Sequence, residues 1–493
     1  MAQAGTRGQR NFLGDFEAML KALSLDYVDC ARYETSGYAE FIGKLYAMNP
    51  SMFQSPIYCD HTLTQMALHY LSWFQDPAIR FEVGPNASWH VDLDAWKLQR
   101  HGDELYVIAA PAESGIRHGE RIVAVNGSSL ADIRPEVERL LRTTVEPADP
   151  EREDWSGVLA FAKHATVQDE NGTRRTVNLV PGESAVTGRM RKLYAKRTGQ
   201  EAHADEVRID AGPEMGASTE AVPACSLLTF DDVCVLRLSA PGNSEFSKEL
   251  AECLTRLASS CAEAPRQGAI KGLVIDVRGA RGGAQEDMYP LVNWVLAPGT
   301  TATPADLFGK PGILLNCSRR NVAAKLDELE IVRSKLDQAG DAAGLAELDA
   351  LASDLATKRG AGLIADETDF YPAVTFVSAQ PAGQADGQLP VIILTDRDTS
   401  DAAEWLVRAA KSAGYARVAG RATRGSIDNT CLRTVRLDSD FSLTFPTARY
   451  LAATGPLATL GHGITPDVHI PWTPAQLTCD VELERACELL RAQ

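Results

Sequence analysis

The sequence lacks several features that define common classes of protein. No stretch approaches the roughly 18 consecutive apolar residues of a membrane-spanning helix. Acidic residues outnumber basic ones by 66 to 49, which gives a formal net charge of −17. Nucleic acid and anionic membranes are therefore not expected as partners, because phosphate contacts need clustered Lys and Arg. A G-x-G-x-x-G fingerprint and a P-loop are also missing, so no cofactor is expected.

Cysteine is scarce as well. Ten cysteines are spread over 493 residues without a single CxxC pair, a pattern typical of reduced thiols. Cys59-Asp60-His61 matches no zinc-ligand spacing, so no metal is expected. The first twenty residues are polar and lack the layout of a secretory signal. These observations together predict a cytoplasmic protein.

The hydrophobic and charged fractions are those of an ordinary globular chain. Hydrophobic residues make up 45 % and charged residues 23 %, and at about 150 residues per domain the length suggests about three domains. Apolar residues at three- and four-residue intervals predict helices in the first 75 residues. Short β-branched segments such as residues 105–108 then predict strands. Residues 182–222 show no periodicity and predict an irregular linker or insert.

From residue 226 the pattern is that of an α/β domain. Apolar runs at 233–238, 272–277 and 389–394 predict buried strands, and residues 402–413 predict a helix. Two leucine stripes separated by Gly340 and Gly344 predict a helical hairpin at about 321–358. We interpret this acidic hairpin as a solvated lid or packing element rather than a partner-binding coil.

A first motif lies within residues 114–127. Gly115, Ile116 and Gly119 precede the alternating run around Ile122, which ends at an Asn-Gly turn. This pattern resembles the central strand-turn-strand of a PDZ domain, in which a sheet edge and groove capture an extended peptide. Gly115, Ile116 and Ile122 are therefore candidate peptide-binding residues. The alternative is an ordinary β-hairpin.

A second motif, Asp276-Val277-Arg278-Gly279-Ala280-Arg281-Gly282-Gly283, follows a predicted buried strand. Glycines let backbone N–H groups turn toward a bound carbonyl, which is how an oxyanion site is built. The candidate backbone donors are Gly282, Gly283 and Ala402. The alternative is a strand-to-helix turn without a ligand.

Further motifs follow in order: Thr399-Ser400-Asp401-Ala402-Ala403-Glu404, the segment 420–426, and Gly461-His462-Gly463-Ile464-Thr465-Pro466-Asp467-Val468. Over residues 75–475 this order resembles the carboxy-terminal processing (tail-specific) and tricorn-core serine proteases. The resemblance implies an α/β fold with a crotonase-like (ClpP/crotonase-type) core, a PDZ-like β module and an N-terminal helical region. It also implies cleavage of peptides near their C-termini.

The resemblance divides the chain into four expected regions. They are an N-terminal helical region at 1–80, a β-rich region at 81–225 with a PDZ-like module at about 105–140, a crotonase-like core at 226–480 with the hairpin insert at about 321–358, and a C-terminal helix at 481–493.

The chain departs from the family pattern at the catalytic positions. The family's nucleophilic serine lies three residues before a helix Glu, and Glu404 places Asp401 at that position. The processing branch has a Lys base directly after Thr-x-Gly, where this chain has Ser426. The tricorn-like branch has a His base where residues 76–80 place Ala78.

These departures leave several interpretations of Asp401 open. An ionised Asp at the nucleophile position opposes the negative charge that an oxyanion must develop. Asp401 is predicted to cap the helix that begins at Ala402, which Asp does well. The alternatives are that Asp401 acts as nucleophile or general base beside Ser426, or that a shifted turn presents Ser400.

The favoured function is therefore a peptide-binding protein on a tail-specific protease scaffold, a degenerate protease that recognises a peptide or protein C-terminus. The alternative is an active peptidase, hydrolase or peptide-modifying enzyme with a non-standard site at Asp401, Ser400 and Ser426. A structural assembly subunit is a third class, because the scaffold oligomerises in the family. A homo-oligomer is accordingly a possible state.

Overall fold

The computed structural model describes a defined set of residues: 12–31, 56–83, 93, 95–138, 140–141, 150–179, 223–241, 243–267, 270–309, 312–366, 374–379, 389–437, 441–451, 459 and 461–492. The predicted linker at 182–222 lies outside the described residues. The side chains of residues 56–63 also do, which includes the Cys59-Asp60-His61 segment.

The helices and strands follow one another in three groups. The first contains α1 (Phe12–Leu25), α2 (Pro56–Leu71) and β1 (Arg80–Val83). The second contains β2 (Lys97–His101), β3 (Glu104–Ala109), β4 (Arg121–Val125), β5 (Ser128–Ser129), α3 (Leu130–Val137), α4 (Ser156–Ala160), β6 (His164–Gln168) and β7 (Arg174–Asn178). The third contains β8 (Cys225–Phe230), β9 (Val233–Leu238), α5 (Phe246–Gln267), β10 (Gly272–Asp276), α6 (Tyr289–Val295), β11 (Thr301–Ala302), α7 (Pro304–Phe308), β12 (Ile313–Cys317), α8 (Arg319–Ala339), α9 (Ala342–Thr357), β13 (Gly362–Asp366), β14 (Phe376–Val377), β15 (Val391–Thr395), α10 (Ala402–Ala413), β16 (Arg417–Gly420), β17 (Asn429–Arg436), β18 (Phe441–Tyr450), β19 (Val468–His469) and α11 (Val481–Arg491).

A six-stranded sheet in the order β19-β16-β15-β10-β9-β8 forms the centre of the third group. Its strands are parallel except β8, which pairs antiparallel with β9. Side chains alternate between the two faces. Leu236, Ile275 and Ile393 pack toward α5, α6 and α10, whereas Val274 and Ile392 pack against α11. Burial on both faces explains why these strands are apolar throughout.

The second group forms an antiparallel sheet in the order β2-β3-β4-β6-β7, with β5 beside β4. Its core contains Leu105, Ile122 and Val167 together with Trp155. The sheet therefore extends over residues 97–178, beyond the 105–140 segment that the motif predicts.

The N-terminal helices share a core with a third sheet. That sheet has the order β1-β18-β12-β13, with β17 also paired to β18. Phe16 and Leu23 of α1 pack with Tyr70 of α2 and with Leu443 and Phe445 of β18. β1 pairs antiparallel with β18, Arg80 opposite Thr444. The start of β1 is thereby fixed on the third group of elements.

Helices α8 and α9 form an antiparallel pair where the leucine stripes predict a hairpin. Gly340 ends α8 in the left-handed conformation, and the Asp341 side chain accepts a hydrogen bond from the Gly344 N–H to begin α9. None of the helices among the described residues has the length and apolar character needed to cross a membrane. The same residues contain no cluster of three or more His, Cys, Asp or Glu able to hold a metal ion.

Candidate functional site

Two turns meet at the carboxyl ends of β10 and β15, the edge where parallel α/β sheets commonly hold ligands. The turn after β10 contains Gly279 and Gly282, both at positive φ (68° and 78°). The turn after β15 leads to Asp401 and α10. The Ser400 N–H donates to the Ala280 carbonyl at 2.9 Å, which joins the two turns.

Asp401 has an unusual backbone conformation, with φ 55° and ψ −122°. A non-glycine residue in such a region costs on the order of 1–3 kcal/mol, and such strain is concentrated at functional sites. The Asp401 side chain makes no capping hydrogen bond to α10. The prediction that Asp401 caps this helix is wrong, because a cap needs an extended backbone that returns the side chain over the first turn.

The Asp401 carboxylate instead faces the turn after β10. Its Oδ2 accepts hydrogen bonds from the Gly282 N–H at 2.9 Å and from the Ser400 hydroxyl at 3.0 Å. Arg80 Nη2 lies 3.2 Å from Oδ2 and 3.3 Å from Oδ1. The Asp401 side chain is 18 % exposed. A carboxylate oxygen therefore occupies the position opposite the N–H that the sequence predicts as an oxyanion donor.

Arg80 is a site residue that the sequence reasoning missed. It begins β1 and is the last residue of the segment 76–80, where the resemblance predicts the base of the tricorn-like branch. Asp76 anchors this segment, because its carboxylate accepts from the Tyr27 hydroxyl at 2.8 Å and from Asn429 Nδ2 at 2.6 Å. Ala78 is buried and carries no group that could accept a proton. The match of residues 76–80 was the available signal for Arg80.

Ser426 lies on the other side of Asp401. Its hydroxyl oxygen accepts from the Asp401 N–H at 3.1 Å, and the hydroxyl donates to Glu404 Oε2 at 2.8 Å. It lies 3.5 Å from Asp401 Oδ1. Because a hydroxyl has one proton, the shorter contact to Glu404 takes it. Ser400 and Ser426 are both buried.

Glu404 organises the loop that carries Ser426. This fully buried carboxylate accepts from the Thr423 and Ser426 hydroxyls and from the N–H groups of Gly425 and Ser426, at 2.6 and 2.8 Å for the two N–H groups. Burial raises the pKa of Glu404, and these hydrogen bonds oppose the rise. Gly425 has no room for a side chain, because a Cβ would lie 2.2 Å from the Thr459 carbonyl oxygen.

The remaining predicted backbone donors are placed differently. The Ala402 N–H donates to the Gly282 carbonyl at 3.3 Å, within the joined turns. Gly283 packs against Pro241, and a Cβ there would lie 2.8 Å from Pro241 Cβ. Of the three predicted donors, Gly282 is the one whose N–H contacts the Asp401 carboxylate.

A cleft of about 720 Å³ opens beside these turns. Its walls come from α2 and β1, from the antiparallel sheet region, and from the turns after β10, β15 and β16. Its charged lining side chains are Arg80, Lys97, Arg152, Arg281, Arg397 and Arg424 on the basic side and Asp76, Glu82, Asp154 and Asp398 on the acidic side. An apolar groove of about 570 Å³ adjoins the cleft and shares the lining residues Leu68, Leu140 and Gly157.

Three arginines, Arg281, Arg397 and Arg424, form what we call the arginine wall of the cleft. Arg281 pairs with Asp398. Burial acts to raise the pKa of Asp398, but Arg397, Arg281 and Arg424 outweigh it and lower this pKa to about 2. Arg397 also donates to the Glu153 carbonyl at 2.6 Å, which ties the wall to the antiparallel sheet region.

The predicted peptide-binding residues lie in the antiparallel sheet region. Ile116 and Ile122 are buried in its core. The Gly115 carbonyl accepts a hydrogen bond from Arg175 at 2.8 Å. The adjoining groove is lined by other residues of this region, among them Val125, Ile133 and Val137.

A comparison with protein families finds a match for the region that contains this site. Residues 232–470, which carry the parallel sheet and both turns, match the model of a peptidase family. The model is that of Peptidase family S41, to which this region of the chain is similar. A search of curated proteins found no match.

Two solved structures of CPAF agree with this chain at the level of the fold. Mature CPAF is 14 % identical, with 98 % of each chain covered and a TM-score of 0.56. Mature CPAF complexed with lactacystin is 15 % identical, covering 98 % of this chain and 99 % of that one, with a TM-score of 0.54. The photosystem II D1 C-terminal processing protease is 15 % identical over 98 % of each chain, with a TM-score of 0.42.

Proposed function

We propose that this chain is a peptide-binding protein built on an S41 peptidase scaffold, with degenerate serine-protease machinery. The observation that carries the proposal is the hydrogen bond from the Gly282 N–H to the Asp401 carboxylate, 2.9 Å long. In a serine peptidase such an N–H stabilises the oxyanion of the tetrahedral intermediate. Here the chain's own carboxylate takes that hydrogen bond.

In this proposal, the described residues around Asp401 do not include the Ser–Lys or Ser–His pair of the family pattern. Serine attack needs a hydroxyl and a base within hydrogen-bond reach. Ser426 stands where the processing branch has its Lys, and its hydroxyl donates to Glu404. Ala78 stands where the tricorn-like branch has its His. Loss of a nucleophile or base commonly costs several orders of magnitude in rate.

The binding surface in this proposal is the cleft with its adjoining groove. Together they are lined by residues of the turns after β10 and β15 and of the antiparallel sheet region. We assign a PDZ-like role to that region, a crotonase-like identity to the parallel-sheet core, and the N-terminal helical region to residues 1–80. The partner is the C-terminal segment of a peptide or protein in the cytoplasm, and the chain itself is a candidate homo-oligomer.

A second candidate is an active enzyme with a carboxylate at its centre. The strained backbone of Asp401 favours this candidate, because backbone strain of this kind is concentrated at active sites. In that case Asp401 acts as nucleophile or general base, with Ser400 and Ser426 as hydrogen-bonding partners.

One experiment separates the two candidates. The purified protein is incubated with a library of C-terminally varied peptides, and mass spectrometry follows both retention on the protein and new products. The proposal predicts retained, intact peptides. Turnover that is abolished in Asp401→Ala but persists in Arg417→Gln, an exposed control outside the cleft, would establish the enzyme instead.

A further inference from the structure

We propose that Cys225 and Cys253 form a redox-sensitive thiol pair, which a low-molecular-weight disulfide converts into an intramolecular disulfide bond. The pair joins β8, the edge strand of the six-stranded sheet, to helix α5. Neither cysteine is among the described residues that line the cleft. The thiol pair is therefore a second site, whose chemistry does not depend on the proposed function.

Both thiols lie at one contact between the strand and the helix. Cys225 is 4 % exposed and Cys253 is 5 % exposed, within the same hydrophobic cluster. The Cys225 N–H donates a hydrogen bond to Glu249 Oε2 at 2.9 Å. Because Glu249 and Cys253 are four residues apart on α5, their side chains share one face of the helix. The backbone contact to Glu249 thus brings Cys225 to Cys253, and the two cysteine side chains are hydrogen-bonded to each other.

The spacing of two further buried cysteines supports this pairing. Cys234 of β9 lies opposite Thr229, which is four residues, about 13 Å, along β8 from Cys225. Cys261 follows Cys253 by eight residues, about 12 Å along α5. All four cysteines belong to the same hydrophobic cluster. The matched spacings favour contact of Cys225 with Cys253 at one end of the helix and of Cys234 with Cys261 at the other.

The position of β8 determines when the pair reacts. Burial raises the pKa of the Cys225 thiol, and Cys253 and Glu249 raise it further. Little of the nucleophilic thiolate is therefore present in the closed fold. However, β8 ends the sheet and residues 228–230 are exposed, and a strand with few buried contacts opens at a lower free energy than the core strands. Cys225 is expected to react when β8 opens locally.

The reaction proceeds by two thiol–disulfide exchanges. Cys225 loses its proton to water, and its thiolate attacks one sulfur of the oxidant disulfide. The S–S bond of the oxidant breaks, and the first leaving thiolate takes up a proton. The Cys253 thiolate then attacks the Cys225 sulfur of the mixed disulfide, forms the Cys225–Cys253 bond and releases the second thiol. Two cysteines are thus oxidised by two electrons, and one oxidant disulfide is reduced to two thiols.

The test exposes the full, folded chain to glutathione disulfide. Remaining thiols are then alkylated in denaturant, and the protein is digested without reduction for mass spectrometry. We expect a crosslinked peptide pair that joins Cys225 to Cys253 and has lost the mass of two hydrogen atoms. Alkylation of both cysteines should fall about tenfold. Amide hydrogen exchange in β8 should slow by about tenfold after oxidation, because the bond ties the edge strand to α5.

Three variants identify the roles of the two cysteines. Cys253→Ala removes the thiol that resolves the mixed disulfide, so Cys225 should retain one glutathione. Cys225→Ala should abolish the crosslink. Cys234→Ala is the matched control, because it changes a buried cysteine of the same cluster and should leave the Cys225–Cys253 crosslink unchanged.

Three outcomes would overturn the proposal. One is that Cys225 and Cys253 stay free while the exposed Cys479 acquires glutathione. Another is a disulfide that joins Cys225 to Cys234 or Cys261. The third is a Cys225–Cys253 bond that forms in denaturant but not in the folded chain, since the fold would then not be what brings the two thiols together.

Discussion

The two sides of the cleft differ in the charged groups that surround a carboxylate. On the Asp401 side, the carboxylate accepts hydrogen bonds from Arg80, the Gly282 N–H and the Ser400 hydroxyl. On the arginine wall, the guanidinium groups of Arg281, Arg397 and Arg424 all act on the carboxylate of Asp398. One arginine thus lies beside the Asp401 carboxylate, whereas three arginines act on the Asp398 carboxylate. The predictions below break or sharpen this difference, beginning with the largest effect.

The largest effect is expected at Glu404, which holds the loop next to Asp401. In Glu404→Leu, two hydroxyls and two N–H groups lose their common buried acceptor. We expect a loss of about 3–4 kcal/mol in the free energy of unfolding, measured by chemical denaturation. Glu347→Leu, at an exposed position of α9, should change it by less than about 0.5 kcal/mol. A loss below about 1 kcal/mol in Glu404→Leu would contradict this account of the loop.

A smaller effect tests the backbone strain at Asp401. Both Asp401→Ala and Asp401→Gly remove the carboxylate contacts, but only glycine adopts φ 55° and ψ −122° without strain. We expect Asp401→Gly to be about 1–2 kcal/mol more stable than Asp401→Ala.

The matched control for this pair is Ser412, an exposed residue of helix α10. There the order reverses, because glycine is about 1 kcal/mol less favourable than alanine within a helix. The same order at both positions would argue against stored strain at Asp401.

The arginine wall predicts a dependence on pH. The folded pKa of Asp398 is about 2, below the ordinary 3.8. Its contribution to stability is therefore complete above about pH 4 and lost as the pH falls toward 2. We expect Asp398→Asn to be about 1 kcal/mol less stable than the parent at neutral pH, with the difference shrinking as the pH falls through this window. A difference that grows on acidification would have the wrong sign.

The sequence predicted the central features of the fold for a physical reason. The runs at β10 and β15 are buried on both faces, so their apolar character is visible without a structure. Helix α10 has the bounds that the sequence predicts after the β15 strand. The leucine stripes of α8 and α9 predict the helix pair in the same way.

The candidate site was predictable in its location but not in its contacts. Motif order placed Asp401, Gly282 and Ser426 in one region, and the structure brings all three within hydrogen-bonding reach. The role of Arg80 was not predicted, because its contact with Asp401 spans 321 positions and depends on the pairing of β1 with β18. The prediction of a helix cap failed because the sequence does not reveal the sign of φ at Asp401.

The smallest expected effect concerns Asp401→Ser, which we expect to gain no reactivity toward a serine-directed probe. Asp401→Ser introduces the hydroxyl that the resemblance predicts at this position, while Ser426 and Ala78 remain at the two positions where it predicts a base. We expect neither the parent nor Asp401→Ser to react with a fluorophosphonate probe faster than Asp401→Ala does, since an unassisted serine hydroxyl is a weak nucleophile. Rapid labelling of Asp401→Ser alone would reveal a base elsewhere in the cleft.

The central claim is that this cleft binds peptides without cleaving them, because Asp401 occupies the position of the oxyanion. The most direct measurement incubates the protein with its best-retained peptide in heavy-oxygen water and follows isotope incorporation by mass spectrometry. Hydrolysis of any peptide bond places heavy oxygen in a new C-terminal carboxylate. The account predicts that the bound peptide is recovered intact and unlabelled. Labelled fragments that form with the parent protein and disappear with Asp401→Ala would contradict it.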